Sequence, residues 1–137
     1  MKSFPRIIIA LFIPYWIISC SKTVDVALPI TSSNEKALES YNQGYNYFTQ
    51  NEALEAKNLF EQALSLDPDL ILANLYVPET DPNKRKNYRD RAIANKNNGN
   101  DAEKLFVDIW VANRDGRLTD VVYFAKELVN KYPNSSE

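Results

Sequence analysis

"KALESYNQGYNYFTQNEALEAKNLFEQALSLDPDL", residues 36–70, is the stretch on which the fold turns. In its first half, Ala37, Ser40, Gly44 and Tyr47 form one series, and Leu38, Tyr41, Tyr45 and Phe48 form a second. Both series step by three or four residues, so each marks one stripe of an α-helix and the helix has two contact faces. In the second half, Ala53, Ala56, Phe60, Ala63 and Leu64 keep helical spacing until Asp67-Pro68 ends the run. The polar "TQNE" between the halves is a short turn. Ahead of the first helix, Ser32 and Glu35 have capping-box spacing, and Asn34 is a second candidate cap. The stretch predicts a helical hairpin.

Gly44-x-x-Tyr47, then Ala56-x-x-x-Phe60, Ala63 and a closing Pro68 resemble the tetratricopeptide repeat. Ser40 and Gln43 depart from that pattern, which prefers Trp and Leu there. Gly44 on the narrow face would let two helices approach closely, at a helix-propensity cost of about 1 kcal/mol. Phe60 would fill the seam between them.

The pattern recurs in "DAEKLFVDIWVANRDGRLTDVVYFAKELVNKYPN", residues 101–134. Ala102, Leu105, Ile109 and Ala112 line a first helix, Asp115-Gly116 makes a turn, and Leu118, Val121, Ala125, Leu128 and Tyr132 line a second that closes at Pro133. Pro68 and Pro133 stand 65 positions apart, close to two repeats of about 34 residues. A degenerate middle unit fits between them: "LILANLY", stopped by Pro78, then a helix begun by Asp81-Pro82 and stopped near Asn98-Gly99. The expectation is therefore all-α, a superhelix similar to tetratricopeptide repeats over residues 35–134, with two clear units and one degenerate one.

The composition narrows the function. Sixteen basic against 18 acidic residues give a formal charge of −2, which argues against a nucleic-acid partner. A single cysteine makes no internal disulfide, and the absence of histidine removes the commonest general base and transition-metal ligand. No phosphate loop or nucleophile motif is present, so no enzyme activity, cofactor or metal is expected. The carboxylate pairs Asp67/Asp69 and Asp115/Asp120 lie beside turns and read as helix caps.

Residues 1–19, "MKSFPRIIIALFIPYWIIS", set Lys2 and Arg6 before an apolar run from Ile7 to Ser19. As a helix the run would reach only ~20 Å of a ~30 Å hydrocarbon core, and Pro14 interrupts it. It reads as a secretion signal. Ile17-Ile18-Ser19-Cys20 resembles the lipobox of bacterial lipoproteins. That resemblance implies acylation of Cys20 with palmitate-like chains, cleavage before it, and a place in the cell envelope, with Ser21 similar to outer-membrane sorting signals. The bland alternative is a buried cysteine ending a membrane-core helix. Residues 20–34 then read as the lipidated cysteine and a flexible tether.

In the repeat family, ligands lie along the surface made by first helices. The resemblance thus implies a partner-binding stripe at Tyr41, Tyr45 and Phe48 of the first unit and at Phe106, Trp110 and Arg114 of the last. The alternatives are that these residues are core between repeats, or are covered by the tether folding back. The basic run "KRKNYRDR", residues 84–91, reads as a solvated helix face, or otherwise as a contact for anionic lipid or acidic partners. The expected function is protein–protein interaction or scaffolding at a membrane. Alternatives are an accessory nutrient- or glycan-binding lipoprotein, supported if Trp110 and Tyr45 form a flat exposed platform, and a piece of a longer enzyme or sensor. A repeat array leaves an apolar flank at its end, which further repeats, self-association or a partner would cover.

Overall fold

The computed structural model describes residues 28–133, so the expected leader and Cys20 lie outside the described residues. The described chain is all-helical, with no strand. Its helices are α1 (Glu35–Thr49), α2 (Ala53–Leu66), α3 (Ile71–Tyr76), α4 (Pro82–Asn95), α5 (Asp101–Arg114) and α6 (Leu118–Lys131), with a single 3-10 turn at Lys96–Asn98. Neighbours in sequence pack as pairs: α1 on α2, α3 on α4, and α5 on α6. Contacts of α3 with α2 and with α5 join the pairs.

Local chemistry sets the ends of these helices. Asn34, not Ser32, caps α1, its side chain accepting from the N–H groups of Lys36 and Ala37. Asp81 caps α4 in the same way, with Pro82 in its first turn. Asn100 and Glu103 form a reciprocal capping box on α5. At the end of α1, the N–H of Glu52 bonds Tyr47 O and that of Asn51 bonds Phe48 O, with Asn51 at φ 63°. At the end of α5, Arg117 bonds Ala112 O and Gly116 bonds Asn113 O, with Gly116 at φ 72°. Both are Schellman turns, and their left-handed residues stand 65 positions apart.

In the first pair, Ala37, Ser40, Gly44, Ala56, Phe60 and Ala63 are buried along the seam. A Cβ on Gly44 would sit 3.1 Å from Phe60 Cδ1 and 3.2 Å from Leu59 Cβ, so the missing side chain is what lets α2 come this close. α3 has only six residues, too few to hold a helix by hydrogen bonding alone. Burial holds it instead. Leu70, Ile71, Leu72, Ala73, Leu75 and Val77 are all buried and form the centre of the core, each large one worth about 1.5–3 kcal/mol. Buried Asn74 donates to Pro68 O and Leu70 O, tying the start of α3 to the turn before it.

The tether expected over residues 20–34 is, in its last seven positions, a fixed strap. Ser32 Oγ donates to Asp67 Oδ2, the Thr31 N–H to Glu103 Oε1 at 3.1 Å, and Asn100 Nδ2 to Pro29 O at 2.8 Å. Ile30 packs on the core. Glu103 is fully buried and also accepts from the Asn100 N–H. Composition alone could not reveal this, because the partners lie 35 to 72 residues away.

Candidate partner-binding cleft

Three helices contribute to one aromatic surface. On α1, Tyr41, Tyr45 and Phe48 follow helical spacing; Tyr41–Tyr45 and Tyr45–Phe48 ring centroids are 6.1 and 6.4 Å apart. Tyr76, the last residue of α3, touches that stripe at 5.4 Å from Tyr45 and 5.2 Å from Phe48. It also reaches Phe106 of α5 at 5.9 Å. Tyr76 therefore joins two stripes that sequence places some 60 positions apart. Trp110 follows Phe106 by one helical turn. Arg89 of α4 and Arg114 of α5 lie over its indole, at 5.4 and 5.5 Å from the centroid.

These residues divide by burial. Tyr41 is 4 % exposed and rests on Phe60 at 5.6 Å, so it is core rather than contact surface. Tyr45 and Phe48 are 39 % and 37 % exposed. Tyr76, Phe106 and Trp110 are half-buried, and Arg114 is exposed. Among the repeat-signature residues, Gly44, Ala56, Phe60 and Ala63 are buried in the seam, Tyr47 is exposed, and Pro68 and Pro133 follow the ends of α2 and α6.

Phe48, Tyr76, Phe106 and Trp110 form one wall of a cleft of about 340 Å³, and Leu75, Val77, Pro78 and Glu79 form another. Arg85 and Arg89, one helical turn apart on α4, complete it. Glu79 is nearly buried, with its carboxylate 2.8 Å from Lys57 Nζ and accepting from the Asp81 N–H at 2.9 Å. The Lys57 bond, aided by that N–H, holds its pKa down at about 2, and Lys57 is raised in turn. Burial raises the Tyr76 phenol, which stays neutral. Burial, with Arg85 beside it, lowers Arg89, which donates to Asn74 O at 3.2 Å.

Tyr76, Arg85 and Arg89 escaped the sequence reading. Tyr76 sits in the degenerate middle unit, and the arginines in the basic run of residues 84–91. The expected solvated face fits Lys84, Arg85, Lys86 and Arg91, which are exposed, with Lys86 paired to Asp90, and does not fit the half-buried Arg89. The i, i+4 spacing of Arg85 and Arg89 was the available signal.

Elsewhere, Asp67 accepts from Ser32 and Asp69, Asp69 from Asn95, and Asp115 and Asp120 pair with Arg114 and Arg117. These carboxylates brace turns. Among the described residues no group of three or more acidic, Cys or His side chains could hold a metal ion, and no helix is long and apolar enough to cross a membrane. Compared with family models, curated proteins and solved structures, the chain matches none.

Proposed function

We propose that this chain is an interaction module of tetratricopeptide-like helical hairpins that docks a protein or peptide segment in the cleft and is held to a bacterial membrane through lipid on Cys20. The observation that carries the reading is Tyr76, whose ring contacts both Phe48 and Phe106 and makes one surface of two distant stripes. Aromatic residues with a neighbouring arginine give much contact area at low entropy cost. The paired packing of helices, the two Schellman turns 65 positions apart and the close approach at Gly44 support the repeat reading. Lipid attachment would raise local concentration and so favour weak docking. The reading assigns the domain no bond-making step.

The glycan-binding alternative asks for a flat, open aromatic platform. Tyr45 is available, but the Trp110 indole is half-buried and lies under two guanidinium groups, so it receives less support.

Two measurements test the proposal. A photo-crosslinking side chain at Tyr45 should capture the same partner as one at Trp110, and one at Lys126 on α6 should not. Equal capture at all three positions would sink the cleft as the docking site. Mass analysis of the membrane fraction should find residues 1–19 absent and Cys20 acylated, and Cys20→Ser should remove both changes. An intact leader with a free thiol would end the anchoring claim.

A further inference from the structure

The cleft carries a charge pattern that selects among partners. Its charged lining groups are Glu79, Arg85 and Arg89. Glu79 is already neutralised by Lys57 at 2.8 Å. The nearby acids are also engaged: Asp90 with Lys86, and Asp115 with Arg114 and Arg117. Arg85 and Arg89 have no carboxylate within ion-pair distance among the described residues. Arg89 bonds only the neutral Asn74 carbonyl and the face of Trp110. Two adjacent guanidinium groups, one of them half-buried, repel each other and leave most of their donors unused. Beside them stand the apolar faces of Phe48, Phe106 and Trp110. An anion between the arginines would relieve the repulsion, and the forked donors suit a carboxylate.

We infer that the cleft takes an acidic peptide segment, seating an aromatic or large aliphatic side chain against Phe48, Phe106 and Trp110 and an adjacent carboxylate on Arg85 and Arg89. This inference rests on the docking reading above and gives it a ligand chemistry. Basic or neutral segments are disfavoured, because they leave the arginine pair uncompensated.

The test uses the full chain carrying Trp16→Phe, so that Trp110 is the single tryptophan and reports from the site. The probes are N-acetyl-Glu-Phe-Glu-amide, its neutral counterpart N-acetyl-Gln-Phe-Gln-amide, and N-acetyl-Gln-Phe-Gln with a free terminal carboxylate. The acidic amide should shift Trp110 emission and bind about tenfold tighter than the neutral one, a preference that weakens as salt rises. Tighter binding of the third probe than of the acidic amide would assign the carboxylate to a chain end rather than a side chain, within the same inference. Arg85→Gln, at an exposed position, should remove most of the preference while helix content by circular dichroism stays unchanged; Arg85→Gln with Arg89→Gln should erase it. Equal binding of acidic and neutral amides would overturn the inference and leave the docking reading standing. Failure of all three to bind would overturn both.

Discussion

The first and last hairpins share a turn but not a fate. α1–α2 and α5–α6 reverse direction through the same Schellman geometry, at Asn51 and at Gly116. Yet α2 buries Ala56, Phe60, Ala63 and Leu64, whereas no residue of α6 is fully buried and Val121, Phe124, Ala125 and Leu128 are only half-buried. Leu118, Val122, Tyr123 and Val129 stand between 49 % and 67 % exposed. The difference is one of neighbours. α2 lies between α1 and the buried α3, whereas the main packing of α6 is on α5. An apolar stripe is a capacity for burial, realised only where a second element covers it. At the 65-residue offset, Ile109 and Ala125 occupy the positions of Gly44 and Phe60. Both are half-buried, whereas Gly44 and Phe60 are buried.

Truncating one side chain in each hairpin measures the difference. Phe60→Ala should cost about 3–5 kcal/mol in urea unfolding, and Val122→Ala, at an exposed site, under about 0.5 kcal/mol. Similar losses would mean that α6 is covered as α2 is.

The strap joins the first hairpin to the last through Asp67 and Glu103. Glu103→Ala removes the acceptor of the Thr31 and Asn100 N–H groups and should cost roughly 2–4 kcal/mol. Thr31→Ala keeps both of those bonds, loses the hydroxyl that accepts from Asn100, and should cost under about 1 kcal/mol. Equal costs would show that the Glu103 bonds contribute little.

Two glycines separate space from backbone. A Cβ on Gly99 would fall 2.5 Å from Ile71 Cδ1 and 2.8 Å from Glu103 Oε2, so Gly99→Ala should cost about 1–3 kcal/mol through overpacking. Gly116 has open space but a left-handed φ. Gly116→Ala should cost about 1 kcal/mol, and Gly116→Asn, copying the residue at the matching turn, only a few tenths. Thermal unfolding of the three variants checks the ranking.

The smallest expected effect lies in acid. Glu79 titrates near 2 in the fold against an ordinary 4.5. Its lowered folded value means its contribution is fully present above 4.5 and is lost as pH falls toward 2. The stability advantage of the wild type over Glu79→Gln should therefore be constant above pH 4.5 and shrink below it. An advantage independent of pH throughout would refute the ion pair with Lys57.

Much of this architecture was legible in the residues. Helical spacing and the stops at Pro68 and Pro78 located the helices, because those signals are local. The weight of the middle unit was not legible. "LILANLY" reads from sequence as the opening of a degenerate unit, yet it is the most buried segment among the described residues, since a helix enclosed on several sides needs neither length nor amphipathic contrast. Tyr41 and Tyr45 share a stripe in sequence, and only the placement of Phe60 and Tyr76 makes one core and the other surface. Arg85 and Arg89 were hidden in a run of charge whose neighbours along the chain are solvated.

The cleft depends on the meeting of the α1 and α5 stripes across Tyr76. Aromatic nuclear Overhauser spectra of the full chain test it directly. Cross-peaks from the Tyr76 ring to both Phe48 and Phe106 are predicted by their 5.2 and 5.9 Å centroid separations. A Tyr76 ring in contact with only one of the two would mean that the stripes lie apart and that the cleft between them does not exist.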